Sequence, residues 1–463
     1  MTKGVRKREM RRYQFWQSGL VLLLCLGTTV ATAASQGQRW TLERCLERAR
    51  TASPDVTEAQ AEIRIAESQL AQAKAGRLPQ ATFTSINGVI NGAHGNAVTG
   101  RTDNSDIGPF TRGELEVVQP VYTFGRLASE IRAASHGVDV KRAATDNARA
   151  ATVATVKELY YNLLLSRQIK ALLDEVADNF SKAITTAEKR VEAGEGTITQ
   201  QDILKLRIGQ ASVTREVYGL ERAIVVTRSA LMRQLDLPLE DADFDIAETQ
   251  LEPVTVQLQS LGYYLERAGL QRPEIAQLEA GLAARKARVD AARSAYYPSV
   301  FVAGGIRYAK APTRDSQESP FAKDDYNYFA GGAALGLRWQ LDVWMTNAKL
   351  EERRAELSQV EVQKHNATSG IALDIQRRYL EMQETQQKVE AAQTARKAVR
   401  ALLATTLANF ELGVGEGKDV FENLGLYAHI VSDYYTTVRD YNIAAARLTQ
   451  ATGQEVTTTA SQR

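Results

Sequence analysis

Apolar residues recur at three- and four-residue spacing along two very long stretches of the chain, about Leu127 to Val191 and about Met345 to Phe410. In the first stretch the series includes Val153, Val156, Tyr160 and Leu163. This spacing predicts amphipathic helices with coiled-coil-like packing. No proline interrupts either stretch. About 65 residues at 1.5 Å per residue make a helix about 100 Å long.

Shorter helical stretches accompany the long ones. One pair, about Gln200 to Leu235 and about Lys418 to Thr452, follows the long helices and would run back along them. Another pair, about Asp55 to Arg77 and about Glu274 to Ala295, precedes the strand candidates. Because the returning helices are too short to cover the long ones, we expect the two kinds of shorter helix to stack end to end.

Four segments alternate apolar and polar residues at the two-residue period of a strand: ATFTSING (81–88), GELEVVQPVY (113–122), SVFVAGGIRY (299–308) and ALGLRWQLD (334–342). The apolar positions that we expect to face lipid are Leu115, Val117, Leu335, Leu337, Trp339 and Leu341. Alternation over about ten residues is typical of transmembrane barrel strands, although a strand of a soluble sandwich alternates too. Since about eight strands are the minimum for closure, four strands predict association with further copies.

Aromatic residues cluster around the second strand pair, as in an interfacial girdle: Tyr296, Tyr297, Tyr308, Tyr326, Tyr328, Phe329 and Trp339.

The two halves of the chain repeat each other. Pro54 and Pro273 lie 219 positions apart, as do Pro79 and Pro298. The segment GTITQQD at Gly196 is echoed by GVGEGKD 217 positions later. The sequence therefore predicts two repeats, 34–253 and 254–453, each with a helix, two strands and a long helical hairpin, followed by a flexible tail, 454–463.

The N-terminus resembles a secretory signal peptide. A basic leader precedes an apolar run from Leu20 to Leu26, and cleavage is expected after Ala33. Removing residues 1–33 takes away six basic residues and one acid, so the formal net charge falls from +2 to −3. A slightly acidic chain argues against a nucleic-acid partner. No later segment reaches 18 apolar residues, so the exported chain is soluble or crosses a membrane as strands.

The sequence contains few residues that could form a catalytic or cofactor site. Cys45 is the one cysteine left after cleavage, and the four histidines are scattered. We therefore expect no disulfide, metal site or cofactor. The segment GVGEGKD looks like a phosphate loop, but that motif requires Gly-x4-Gly-Lys-Ser/Thr. Leu412 stands where the first glycine is required and Asp419 where the hydroxyl is required, so we do not expect an enzyme.

From Thr41 to Leu448 the chain resembles the TolC-like outer-membrane efflux proteins, or outer membrane factors. The resemblance rests on the paired segments RLPQATFTSING and YYPSVFVAGG, on VVQPVYTFGRL before the first long helix, and on the two Gly-x5-Asp turns. These motifs are short, and their order and duplication make the match specific.

The resemblance implies a mainly α-helical homotrimer in the outer membrane of a Gram-negative bacterium. Three copies would form one 12-stranded transmembrane β-barrel amid outer-membrane lipid, continued by a periplasmic α-helical barrel. It also implies a passive exit duct of a tripartite efflux or type I secretion system. The partners would be a periplasmic adaptor protein and an inner-membrane pump of RND or ABC type.

The resemblance further places the two glycine turns at the periplasmic tip, where the pore constricts and the adaptor docks. The corresponding residues are Gly196, Thr199, Asp202, Gly413, Gly415, Lys418, Asp419 and Glu422. Three copies of Asp419 and Glu422 would make carboxylate rings, which favour cations. Asp202 and Asp419 could instead cap the helices that follow.

The chain departs from the family pattern at the second turn. Extra glycines and Lys418 stand where a Ser or Thr is usual, and Gly415 stands where a basic residue sometimes ties the tip shut. An alternative function is a periplasmic coiled-coil adaptor or scaffold, which would share the long hairpins but lack the alternating strands.

Overall fold

The computed structural model describes residues 39–96, 98–194, 198–241, 243–453 and 456. The predicted signal peptide, Gly196 and all of the predicted tail except Val456 lie outside these residues. The elements of the described part are α1 (Leu42–Ala52), α2 (Pro54–Ala75), β1 (Gln80–His94), β2 (Arg101–Tyr122), α3 (Arg126–Ala193), α4 (Gln200–Gln234), α5 (Leu261–Gln271), α6 (Pro273–Arg293), β3 (Ser299–Lys310), β4 (Tyr328–Arg338), α7 (Val343–Leu412) and α8 (Gly417–Thr452).

The two long helices are confirmed. Helix α3 has 68 residues and α7 has 70. On α3 the predicted apolar stripe faces the protein interior, where Val156, Tyr160 and Leu163 are at most 1% exposed. Helix α4 returns along α3, and α8 returns along α7. The long helices thus owe their stability to packing along one face, as the periodicity predicted.

The predicted end-to-end stacking of the shorter helices is also confirmed. At the end of α4, Gln234 Nε2 donates hydrogen bonds to Ser53 Oγ (3.1 Å) and Asp55 Oδ2 (2.9 Å) at the start of α2. In the second repeat, Arg272 at the start of α6 donates to the Ala451 carbonyl near the end of α8 (2.7 Å). In both repeats a side-chain hydrogen bond therefore joins the end of the returning helix to the start of the helix that precedes the strands. The exact repeat boundaries, 34–253 and 254–453, stay a prediction.

The four strands form one antiparallel sheet in the order β1-β2-β3-β4. The register places Phe83, Leu115, Ile306 and Leu335 on one face. All four are exposed, between 37% and 72%. The opposite face carries the charged residues, with Glu114 directly opposite Arg307 and paired to it at 2.7 Å. The sheet thus has an apolar face and a polar face, as the alternation predicted.

The fourth strand is shorter than predicted. Strand β4 ends at Arg338, so the assignment of Trp339 and Leu341 to a membrane strand is wrong. The Trp339 indole N–H donates to the Tyr296 carbonyl (3.1 Å), and Asp342 caps α7 by accepting from the Met345 N–H. The chain is already turning into α7, although its apolar alternation continues.

The first strand pair is longer than predicted, because β1 extends to His94 and β2 begins at Arg101. The aromatic cluster is also divided. Tyr308 and Phe329 pair on the apolar face, whereas Tyr328 lies on the polar face.

Within the described part of the chain, none of the helices combines the length and the apolar character that a membrane span requires.

Candidate functional site: the two hairpin ends

The hairpin ends are the α3–α4 turn and the α7–α8 turn, which carry the predicted tip residues. In the first, Gly194 ends α3 in the left-handed region (φ 67°), where glycine is favoured. Thr199 and Asp202 form a capping box at the start of α4: the Thr199 N–H donates to Asp202 Oδ2 (3.0 Å), and the Asp202 N–H donates to Thr199 Oγ1 (3.3 Å). Asp202 therefore caps its helix, one of the two roles that the sequence left open.

The second turn is tighter and is built from backbone. Gly413 ends α7 with φ 83°, and the N–H groups of Val414 and Gly415 both donate to the Asn409 carbonyl (3.0 and 3.1 Å). A Cβ on Gly415 would lie 2.9 Å from the Phe410 backbone nitrogen. Glycine at position 415 is thus explained by the close return of the chain over the last turn of α7.

Capping by Asp419 is not observed. The N-cap of α8 is Glu416, without a side-chain cap bond, and Asp419 lies in the first turn. There its charge still favours the helix N-terminus. Lys418 Nζ lies 3.7 Å from Glu422 Oε1, with both side chains 57% exposed. Such an exposed pair is worth at most about 1 kcal/mol. Asp419 and Glu422 are both exposed to solvent.

The two hairpin ends touch each other. A Cβ on Gly417 would lie 2.7 Å from the Cβ of Asp202. Two turns along α4, a Cβ on Gly209 would lie 2.7 Å from the Phe180 ring and 3.1 Å from the Phe421 ring. Glycines at positions 209 and 417 therefore allow the close approach of the two hairpins.

Arg190 ties the hairpin ends together, and the sequence reasoning missed it. From the last turn of α3 its guanidinium donates to the carbonyls of Phe410 (2.8 Å) and Glu411 (2.6 Å) at the end of α7. Both carbonyls belong to the last turn of α7, where carbonyl groups lack the regular intrahelical donor. The Phe410 carbonyl also accepts from the Gly413 N–H (3.2 Å). The guanidinium carbon also lies 5.7 Å from the centre of the Phe410 ring. Arg190 thus supplies a basic contact at the second turn, where Gly415 replaces the basic residue that the resemblance led us to look for.

The site holds no phosphate-loop geometry. Gly417 and Lys418 open a helix that follows another helix, whereas a phosphate loop follows a strand. Within the described ranges, histidine, cysteine and carboxylate side chains do not gather into a group of three that could hold a metal ion.

The chain also resembles known proteins in sequence and in fold. The family model described as "Outer membrane efflux protein" matches residues 45–235 and 264–454. The pyoverdine export outer membrane protein OpmQ of Pseudomonas putida is 25% identical over 408 residues, covering 82% of each chain. The Campylobacter jejuni CmeC channel has a TM-score of 0.72 at 14% identity, covering 90% of this chain and 86% of that one. The open-state Neisseria gonorrhoeae MtrE channel has a TM-score of 0.71 at 17% identity, covering 90% and 89%.

Proposed function

This chain belongs to the outer membrane efflux protein family, and on that premise we propose that three copies form one duct that opens at its hairpin ends. The protein lies in the outer membrane and extends into the periplasm. It serves as the outer-membrane exit duct of an efflux system. Members of the family are channels. We propose that this chain likewise has no catalytic step and draws its energy from its partners.

The four-stranded sheet is the observation that supports a closed assembly of several copies, and the number three is taken from the family. Strands β1 and β4 are its edges, and its apolar face is exposed along its length. An open apolar sheet edge cannot persist in lipid, since its backbone groups would lack hydrogen bonds. Pairing β4 of one copy with β1 of the next satisfies both edges. Three copies would supply 12 strands, enough for a closed barrel.

The same sheet argues against a periplasmic adaptor or scaffold. Such a protein would share the hairpins but would have no use for an exposed face that carries Phe83, Leu115 and Leu335. Lipid is the partner that an apolar face of this kind fits.

The hairpin ends are the proposed gate. Widening this end of the duct requires the α3–α4 and α7–α8 hairpins to separate or rotate. The contacts that resist this within one copy include the Arg190 tie to α7 and the close approach of Gly417 to Asp202. We propose that an adaptor protein, docked at this end with an inner-membrane pump of RND or ABC type, shifts the balance toward the open arrangement.

Asp419 and Glu422 are proposed to face the entrance as carboxylate rings in the trimer. Both are open to solvent, and the Lys418–Glu422 pair leaves Asp419 as the stronger source of negative potential. Such rings attract cations and slow multivalent ones.

The mass of the purified mature protein in detergent tests the proposed assembly. We expect three copies per particle, and dissociation to single chains on heating. A particle of one chain that stays monomeric at every protein concentration would contradict it.

A further inference from the structure

The β3–β4 loop, residues 311–327, folds back over the polar face of the sheet. Thr313 packs so closely on Gly108 of β2 that a Cβ there would lie 2.1 Å from the Thr313 methyl. Tyr326 meets Phe110 edge to face with ring centres 5.7 Å apart, and Arg112 donates to the Asp325 carbonyl (3.4 Å). Gly108, Phe110 and Arg112 all point away from the apolar face that carries Leu115.

The loop also buries part of the sheet beneath it. Ala309, on the polar face, is 1% exposed, and Ala311 is 0% exposed. The two ends of the loop are closed by Asn327, whose Oδ1 accepts from the Ala311 N–H (3.0 Å) and whose Nδ2 donates to the Arg314 carbonyl (2.9 Å). The loop is therefore a packed structure on the inward side of the sheet.

A backbone junction ties this loop to the end of β1. Ala93 exchanges hydrogen bonds with the loop: its N–H donates to the Thr313 carbonyl (3.2 Å), and its carbonyl accepts from the Asp315 N–H (2.9 Å). Next to it, the Gly95 N–H donates to Asp315 Oδ2 (2.9 Å). The β1–β2 and β3–β4 connections therefore form one unit at the end of the sheet that lies away from the helices.

His94 lies between two carboxylates at this junction. Its Nδ1 is 3.5 Å from Asp315 Oδ1, and its Nε2 is 3.7 Å from Asp106 Oδ2. A neutral imidazole has one N–H donor and one acceptor, so it presents a donor to only one of the two carboxylates, whereas the charged ring carries an N–H toward each. The other charged groups nearby are Asp103, Arg101, which pairs with His94 across the strands, and Arg314.

We propose that residues 311–327 form a second constriction of the duct, at its extracellular mouth, and that protonation of His94 holds the loop over the opening. The proposal rests on the proposed trimer, because the polar face lines a pore only in a closed barrel. The loop lies at the sheet end opposite the periplasmic helices, so it stands at the outer mouth. Acid on that side is expected to narrow the exit.

Histidine is the side chain whose charge ordinarily changes between pH 5 and pH 8. At stronger acid the junction weakens again as Asp315 is protonated. Its pKa is lowered by the Gly95 N–H and by the His94 ring. A carboxylate with a lowered pKa contributes stability above its usual range and loses it as the pH falls through the lowered value. A pH of about 5.5 therefore leaves Asp315 charged.

Channel recordings of the mature trimer in a planar bilayer test this. Lowering the extracellular pH from about 8 to about 5.5 is expected to reduce the wild-type conductance about twofold to fivefold, the range open to exposed ion pairs. His94→Gln should remove this response. His136→Gln is the matched control, because His136 also lies beside a carboxylate, Asp139 at 3.4 Å, but on the distant helix α3; it should respond like wild type.

A second variant tests the constriction without titration. Replacing residues 312–326 with a short glycine-rich turn should raise the conductance and abolish its dependence on extracellular pH. A pH response that survives in His94→Gln, or an unchanged conductance in the loop replacement, would overturn the mouth proposal and leave the duct intact. A wild-type protein that conducts at neither pH would instead contradict the duct, and with it this proposal.

Discussion

Removing the Arg190 guanidinium should loosen the proposed gate. Arg190 is half-buried and donates to two carbonyls at the end of α7. A hydrogen bond to a charged group contributes about 1.5–3 kcal/mol, and a cation at a helix C-terminus a further 0.3–1 kcal/mol. Allowing for partial exposure, we expect Arg190→Ala to destabilise the closed arrangement by about 2 kcal/mol per copy. Since about 1.4 kcal/mol changes an equilibrium constant tenfold, this shifts the ratio of tied to untied hairpins about 30-fold.

The assay is single-channel recording of the reconstituted trimer without adaptor or pump. Arg190→Ala should spend more time in high-conductance states than wild type. Arg190→Lys should fall in between, because an ammonium cannot reproduce the two-carbonyl fork. Arg207→Ala is the matched control, since it removes the same charge near the same hairpin end from an exposed pair with Glu188 (2.6 Å). Exposed pairs are worth at most about 1 kcal/mol. Equal open times for Arg190→Ala and Arg207→Ala would refute the assigned role of Arg190.

Three further predictions concern the sheet, the hairpin contact and the entrance. Leu115→Arg, on the apolar face, should destabilise the folded barrel by about 2–4 kcal/mol and reduce the yield of heat-sensitive trimer in outer membranes. The neighbouring substitution Glu116→Arg, on the polar face, should be tolerated. Equal yields of the two variants would mean that the faces are assigned wrongly. Gly417→Ala should destabilise the hairpin contact by about 1–3 kcal/mol, measured as a lower melting temperature, whereas Gly425→Ala, with open space around it, should be neutral or stabilising. Asp419→Ala with Glu422→Ala should weaken block by multivalent cations from the periplasmic side, and unchanged block would remove both residues from the constriction.

The sequence predicted the elements whose pattern is local. The long helices follow from the uninterrupted spacing of residues such as Val156, Tyr160 and Leu163. Each turn of a helix is formed by residues three and four positions apart, so a short window of sequence is enough to predict it. The faces of the sheet were predicted for the same reason, since Leu115 and Glu116 must point to opposite sides. Helices α1 and α5 were not predicted as separate elements.

Strand ends were predicted less well, because alternation and hydrogen bonding need not end together. Leu341 continues the apolar alternation, but Asp342 already caps α7. Conversely, β2 begins at Arg101 in the polar segment RTDNSD, where no apolar alternation marks a strand. Two paired strands are held together by hydrogen bonds between their backbones, and this pairing does not require apolar side chains.

Contacts between distant parts of the chain could not be predicted from the sequence. Arg190 and Phe410 are 220 residues apart, and a basic residue in the last turn of a helix ordinarily serves that helix itself. The glycine at position 417 was noticed only as one of the glycines of GVGEGKD. Its actual reason, the approach of Asp202, requires the packing of two hairpins. His94 looked isolated because Asp315 lies 221 residues away.

The most direct test of the account is a planar-bilayer recording of the purified mature protein. A trimeric duct predicts discrete conducting steps that need no nucleotide and that disappear when heat separates the particle into single chains. A protein that remains monomeric and never conducts would contradict the central claim.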